Sequence, residues 1–305
     1  MKKPPKEVHK RILQAYEQHL AQVVGLSLGT CNRHVREVRR FLEEAPIGRL
    51  AKLVQLTPAQ VTGYLRVRSA ECQSNSLRLV AGCLRQFLRF AQQQGWADQT
   101  LFLAVPKIAC RIHHDLPVHL SRQQLDLLLA SWDRSTAEGR RDRAIGLCLA
   151  RLALRAGEVA ALLLEDIHWR EGTLCLRQSK NGSPAQLPLL SEVGQAIADY
   201  LRKGRPACPH REVFVLHPTP LPMSSQAISR VVQRALQRCG IEVPRPGAHL
   251  LRHTVASHLV QNGASLKEVA DLLRHRHLNS ASVYAHVDIP HLRALAQPWP
   301  KEAVL

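Results

Sequence analysis

Acidic residues are scarce in this sequence: its 305 residues contain 24 Asp and Glu against 42 Lys and Arg. The formal charge is +18 and the isoelectric point is about 10.2. A surplus of this size repels itself unless something neutralises it, which argues against an enzyme of small neutral metabolites. A solvated basic surface is the alternative interpretation. We expect a polyanionic partner, most often nucleic acid.

Long apolar runs are also missing. The most apolar stretch, residues 144–164, is interrupted by Arg151, Arg155 and Glu158, whereas a helix that spans a bilayer needs about 20 predominantly apolar residues. The basic residues 1–11 are followed by no apolar segment of the kind found in signal peptides. We therefore expect a cytoplasmic protein that does not bind a membrane.

The sequence contains no recognisable motif for a metal or a nucleotide. The eight cysteines form no CxxC pair, which favours buried apolar roles over a zinc ribbon or a disulfide framework. His249 and His253 have the spacing of a zinc-protease helix, but Leu250 stands where that motif needs Glu. The phosphate-binding pattern GxxxxGK[ST] is absent as well. We predict neither a metal nor a cofactor.

The chain divides into two parts. Residues 104–118 lack periodicity and contain two prolines, which is typical of a linker. We predict a helical DNA-binding domain over residues 1–103 and a second domain over residues 119–305. In the first domain, periodic apolar residues and capping signals predict helices over 8–24, over 30–44 with Thr30 as N-cap, from Thr57-Pro58, and from Ser74 or Ser76.

Arginines collect on one side of two of these helices, away from the apolar face. They are Arg33, Arg36 and Arg40 on the second helix and Arg78, Arg85 and Arg89 on the fourth. A helix with an apolar back and an arginine front suits contact with phosphates. The alternative is an ordinary solvated basic face. We predict that these arginines bind DNA.

The second domain is predicted to be mainly helical with a small antiparallel sheet. Helices are predicted over 121–130, 141–152, 191–202, 224–239, 248–261 and 266–274. Two short strands, 172–176 and 185–189, flank Asn181-Gly182, a dipeptide that favours a tight hairpin turn.

Four places in the second domain carry unusual polar groups. They are Arg155 with Glu158, Lys180 at the hairpin, His249 with Arg252 on one helix face, and His275 with Tyr284. We place Arg155 at the end of the apolar helix, where a guanidinium is costly to bury unless an anion meets it. Taken singly, each group has an ordinary explanation, such as a surface ion pair, a helix cap or a core tyrosine.

Taken together, these groups resemble the motifs of the tyrosine recombinase (phage integrase) superfamily, which includes Xer-type recombinases and transposon integrases. The family pattern GLRxxEL is present as LALRAGEVAAL, the HxxR box as AHLLRHTVASHL, and LGHxxxxxTxxYxH as LLRHRHLNSASVYAHVD. The lysine hairpin is present as SKNGSPAQLPL, and SNSLRLVAGCLRQFLRFAQQQGW is similar to the last helix of the family's core-binding domain. The resemblance spans about residues 10 to 290. It implies a SAM-like helical core-binding domain followed by an α+β catalytic domain with a C-terminal tail.

The resemblance also implies a chemistry. Tyr284 is the expected nucleophile of a 3′-phosphotyrosine intermediate, which conserves the bond energy and needs neither ATP nor a metal. The other expected roles are phosphate binding by Arg155, Arg252 and His275, bracing of Arg155 by Glu158, proton donation by Lys180, and proton acceptance by His249.

The implied partner is double-stranded DNA, clamped by the two domains. Four subunits, alike or mixed with related recombinases, are expected on two synapsed duplexes. The tail around residues 290–299 is expected to pack on its own domain or on a neighbouring subunit. The expected function is site-specific recombination for a mobile element. The alternatives are strand passage like that of a type IB topoisomerase, and an inactive DNA-binding regulator, although neither Tyr284 nor an arginine of the motifs is lost.

The sequence departs from the family pattern at three places. Arg274 stands where the family usually has Gly before the motif histidine. Residues 183–185, Ser-Pro-Ala, follow the hairpin tip where a basic residue is often found. Arg151 is a second arginine one turn before Arg155, but the spacing to Glu158 favours Arg155. We expect these departures to affect rate or partner choice rather than the reaction class.

Overall fold

The computed structural model describes residues 6–44, 53, 56–109, 117–177, 184–274 and 283–284. It contains two compact units, residues 1–113 and 114–305, each with a hydrophobic core of its own. Lys180, the Asn181-Gly182 turn, His275 and the tail at 290–299 lie outside the described residues. Within the described part of the chain, no helix has the length and apolarity needed to cross a bilayer.

The first unit is helical, as predicted. Its helices are α1 (Lys6–Gln22), α2 (Leu28–Glu44), α3 (Pro58–Glu71) and α4 (Ser74–Gln93), followed by a 3₁₀ turn over Leu101–Ala104. Thr57 caps α3 as expected: its hydroxyl accepts from the Gln60 N–H at 3.4 Å. Thr30 is not a cap, because α2 begins two residues earlier and its first turn already includes Thr30.

Helix α4 provides the centre of this first core. Its apolar face is buried as the periodicity predicts, with Phe87 and Leu88 fully shielded from solvent. The Phe87 ring packs edge-on against Tyr16 of α1, with ring centroids 5.3 Å apart, and against Phe41 of α2 at 6.5 Å. Non-directional burial of this kind is the main stabilising contribution to a helical domain, and it fixes which side of α4 remains in solvent.

The second unit combines helices with one small sheet, as predicted. Its helices are α5 (Arg122–Ala130), α6 (Ala137–Arg151), α7 (Ala156–Ala160), α8 (Ser191–Lys203), α9 (Ser225–Arg238), α10 (Ala248–Gln261) and α11 (Leu266–Leu272). The strands β1 (Ile167–His168), β2 (Thr173–Leu176) and β3 (Ala185–Pro188) form an antiparallel sheet in the order β1-β2-β3. Leu174 of β2 pairs with Leu187 of β3.

The buried helix α6 positions the functional segment that follows it. The helix ends at Arg151, and residues 152–154 are buried beneath the neighbouring elements. Ala153 has a positive φ of 49°, so the chain turns sharply there before α7 begins. Arg155 therefore does not lie at the end of the apolar helix, as the sequence suggested. It lies beyond this turn and directly precedes α7.

Candidate functional site

Arg155 and Glu158 form the tight pair that their spacing predicts. Arg155 is the residue before the first turn of α7, and its backbone N–H donates to Glu158 Oε2 at 2.8 Å. Its guanidinium Nη1 donates to Glu158 Oε1 at 2.7 Å. Because Glu158 is buried and Arg155 keeps about a fifth of its side chain exposed (20%), the carboxylate orients the arginine from the protein side.

Arg274 shares the same carboxylate, which the sequence did not predict. Its Nη2 lies 2.7 Å from Glu158 Oε2, and Nη1 donates to the Leu272 carbonyl at 3.3 Å. Burial opposes ionisation of Glu158, but the Arg155 N–H and the charges of Arg274 and Arg155 outweigh it and hold its pKa below the usual value. Glu158 is therefore a carboxylate shared between two guanidiniums.

Arg252 is buried where three segments meet. It lies on α10, and its two terminal nitrogens donate to the carbonyls of Ala153 and Leu273. Burial, together with the positive charges of Arg155 and Arg274, lowers the pKa of Arg252 to about 10. The guanidiniums thus crowd together and disfavour one another, an arrangement that an anion would relieve.

An excess of positive charge remains at this point of the fold. Three guanidiniums converge there, from Arg155, Arg252 and Arg274. Among the described residues Glu158 is the one carboxylate that hydrogen-bonds to any of them, and it bonds to Arg155 and Arg274. Arginine forks match the oxygens of a phosphate better than lysine does, because the planar group donates two parallel hydrogen bonds. The arrangement is suited to a phosphate anion.

Tyr284 lies beside this cluster and is 2% exposed. It packs with buried residues of α10 and α11, and its hydroxyl is 2.8 Å from His253 Nδ1. Burial raises the pKa of Tyr284 to about 12, although the positive charge of Arg252 acts in the opposite sense. A tyrosine with so high a pKa needs a neighbouring proton acceptor to become a nucleophile near neutral pH.

His253 is a site residue that the sequence analysis missed. From the sequence, His253 belonged only to an excluded zinc-protease pattern, and proton acceptance was expected of His249. His249 is exposed, and its ring lies edge-on to that of His253 with centroids 4.7 Å apart. The four-residue step from His249 to His253 was the available signal, since residues four apart lie on the same face of a helix.

The structure brings together Arg155, Glu158, Arg252 and Tyr284 of the predicted set. His249 contacts the ring of His253, which in turn contacts Tyr284. Lys180 and His275 lie outside the described residues, so their placement stays a prediction. No group of three or more His, Cys, Asp or Glu side chains arranged for a metal ion occurs in the part of the chain that is described.

The arginines predicted to bind DNA in the first unit differ in their surroundings. Arg33, Arg36, Arg78 and Arg89 are exposed. Arg40 forms ion pairs with Glu44 at 2.6 Å and Glu71 at 2.7 Å. Arg85 donates to the carbonyls of Val105 and Pro106, both at 3.0 Å. These last two arginines therefore stabilise the unit itself.

Known protein families provide an independent comparison. The model described as Phage integrase family matches residues 119–291, and the model described as Phage integrase, N-terminal SAM-like domain matches residues 13–95. The integrase/recombinase y4rA of Sinorhizobium fredii is 38% identical over 301 residues, which are 98% of this chain and 73% of that protein. Tyrosine recombinase XerD of Ralstonia nicotianae is 29% identical over 283 residues, 91% of this chain and 90% of that one.

Solved structures agree on the fold. A lambda integrase tetramer bound to a Holliday junction matches with a TM-score of 0.70 at 20% identity, over 97% of this chain and 80% of that chain. Together with the family models, this confirms the resemblance carried by the sequence motifs and the two-domain fold class that it implied. The chain belongs to the phage integrase family, whose tyrosine recombinases cleave and rejoin DNA strands.

Proposed function

We propose that this protein is a site-specific recombinase that cuts DNA strands through a covalent bond between Tyr284 and a 3′ phosphate. The observation that carries the proposal is the position of Tyr284, whose hydroxyl is held next to the guanidinium cluster of Arg155 and Arg252. Phosphoryl transfer requires a nucleophile and a group of positive charges that binds the phosphate, and this site contains both.

The arginines would bind the scissile phosphate and stabilise its transition state. Arg155 is oriented by Glu158, and Arg252 is fixed by the carbonyls of Ala153 and Leu273. Neither guanidinium has to reorganise when negative charge grows on the non-bridging oxygens. Preorganised donors of this kind account for a large part of enzymatic rate enhancement.

The proton of Tyr284 passes to a histidine in the proposed mechanism. His253 Nδ1 is within hydrogen-bond distance of the hydroxyl and accepts the proton as the tyrosine oxygen attacks phosphorus. A Tyr–O–P ester forms, the bond from phosphorus to the 5′ oxygen breaks, and Lys180 protonates the departing oxygen. His275 hydrogen-bonds the phosphate, and His249 supports His253. A 5′ hydroxyl of another strand then reverses the sequence and rejoins the DNA.

The proposed partner is double-stranded DNA, held by the domain over residues 1–103 and the domain over 119–305 with 104–118 as linker. The lambda integrase with which this fold compares is a tetramer bound to a Holliday junction. We propose four subunits here as well, alike or mixed with related recombinases. Integration or excision of a mobile element in the cytoplasm is the proposed setting.

Covalent capture tests the proposal. The purified protein is mixed with fragmented DNA of its host, denatured with SDS, and the linked DNA is sequenced. A site found in this way is then built into a nicked duplex, from which the cut fragment is lost and the intermediate accumulates. We expect an SDS-resistant adduct with wild type and none with Tyr284→Phe, which keeps the ring and loses the hydroxyl.

The outcomes separate the alternatives. An equal amount of adduct with Tyr284→Phe would contradict the assignment of the nucleophile. Relaxation of supercoiled plasmid with no recombinant product would instead indicate topoisomerase-like strand passage. DNA binding with no adduct would indicate a regulator.

A further inference from the structure

Arg274 adopts an unusual backbone conformation for its residue type. Its φ is +51°, in the left-handed region that glycine enters freely and other residues enter at a cost. In the family pattern, glycine usually stands at this position. A long charged side chain thus occupies a backbone conformation that favours glycine, which indicates that the side chain has a role that offsets this cost.

The Arg274 side chain is committed to the anion site. It is 12% exposed, and Nη2 is fixed on Glu158 Oε2 at 2.7 Å. Its Nε is buried and makes no hydrogen bond among the described residues. A buried N–H without a partner is rare in native proteins and costs free energy.

The charge balance of the site depends on Arg274. With glycine at this position, Arg155 and Glu158 would form a neutral pair, and Arg252 would carry the one net positive charge of this group. With Arg274 present, one carboxylate is divided between two guanidiniums. The group of Arg155, Glu158, Arg252 and Arg274 then has a net charge of +2.

We propose that Arg274 is a positioning residue that shares Glu158 with Arg155 and so leaves the Arg155 charge uncompensated for the scissile phosphate. The inference rests on the proposed function. A phosphodiester carries one negative charge, and attack by a tyrosine oxygen adds a second as the pentavalent state forms. A site with two net positive charges therefore favours the transition state over the bound substrate.

The test compares two substrates that differ only in charge. One is the nicked duplex with a normal phosphate at the cleavage position. The other has a methylphosphonate there, in which a methyl group replaces one non-bridging oxygen and removes the negative charge. The variants are Arg274→Gly and Arg274→Asn, both compatible with a positive φ, and Arg274→Lys, which keeps the charge.

We expect the two uncharged variants, Arg274→Gly and Arg274→Asn, to cleave the normal phosphate at least about tenfold more slowly than wild type, with unchanged DNA affinity. On the methylphosphonate the deficit should shrink to within about twofold of wild type, because the second negative charge no longer forms. Arg274→Lys should retain most of the rate. Arg151→Gln is the matched control: Arg151 pairs with Glu192 at 3.0 Å outside this cluster, so both rates should stay unchanged.

A deficit of equal size on both substrates would overturn the inference and make Arg274 a structural residue. So would wild-type cleavage of the normal phosphate by Arg274→Gly. Melting temperatures show whether the variants fold. Absence of any adduct with wild-type protein would be a different failure, that of the proposed function itself.

Discussion

Two histidines one helical turn apart compete for the role of proton acceptor. His253 Nδ1 lies 2.8 Å from the Tyr284 hydroxyl, and His249 contacts His253 edge-on. At a pKa of about 12, only about one Tyr284 in 10⁵ would be ionised at pH 7 without help. The choice between the two histidines therefore decides how the reaction responds to pH.

We expect His253→Ala to slow cleavage at pH 7 by about 10²-fold, the usual contribution of a general base. The cleavage rate of this variant should then rise with pH until the pH reaches the pKa of Tyr284, because hydroxide must ionise the tyrosine. His249→Ala should be slower than wild type but keep the wild-type pH profile. Single-turnover cleavage of the nicked duplex from pH 6 to 10 measures both.

The reverse pattern would restore the assignment made from sequence. If His249→Ala gains the steep pH dependence and His253→Ala does not, His249 is the base and His253 only positions the Tyr284 side chain. Added imidazole provides a second readout, since it should recover part of the rate only in the variant that lacks the true acceptor.

Sequence alone predicted the residues whose partners are near in the chain or whose motif is strict. Arg155 and Glu158 are three residues apart, at the start of α7, and so short a separation makes their ion pair predictable. The contact between His253 and Tyr284 joins residues 31 apart, and that between Glu158 and Arg274 joins residues 116 apart. Both depend on how α10, α11 and α7 pack, which no local pattern specifies.

At the scale of elements, two glycines of α6 allow close packing: Gly139 lies against the Asp133 carbonyl and Gly146 against an aromatic ring. Gly146 lies in the middle of this helix, and a Cβ there would overlap the buried Trp132 ring. Gly157 of α7 is the matched control, because a Cβ there would meet nothing within 4 Å. Both substitutions add the same methyl group to a helical glycine.

We expect Gly146→Ala to destabilise the second unit by about 1–3 kcal/mol, the usual cost of overpacking a core. Gly157→Ala should be neutral or slightly stabilising, since alanine has the higher helix propensity. Chemical denaturation of the two variants measures the difference. Equal stability would mean that Trp132 moves aside without cost.

Element prediction succeeded where a capping signal or sustained periodicity was present. Ser121 caps α5 as expected, and the bounds of α10, Ala248–Gln261, match those predicted. Among the elements that were missed, α7 and β1 are five and two residues long. Segments this short contain too few residues to display a period, so tertiary contacts define them instead.

At the scale of the whole molecule, the charge of +18 divides into arginines that face solvent and arginines that the fold uses itself. Arg78 and Arg85 lie on the same helix, seven residues apart. Arg78 is exposed, whereas Arg85 holds the carbonyls of Val105 and Pro106. Only an arginine that displaces counterions from DNA contributes to the salt dependence of binding.

We expect Arg78→Gln to reduce the slope of log affinity against log salt by about 1 and to weaken binding on all sequences alike. Arg85→Gln should leave the slope unchanged and lower the melting temperature of the first unit. Fluorescence anisotropy with a labelled duplex at several salt concentrations measures the slope. Equal slopes for Arg78→Gln and wild type would show that Arg78 does not contact DNA.

The two carbonyls that Arg252 binds have a consequence for genetics. Because the guanidinium joins α10 to residues before α7 and after α11, its loss leaves buried carbonyls unsatisfied as well as removing a phosphate ligand. In a cell, partly unfolded protein is degraded. Inactivating alleles at this codon would therefore combine low abundance with lost chemistry, and the tyrosine codon is the better choice for a clean null allele.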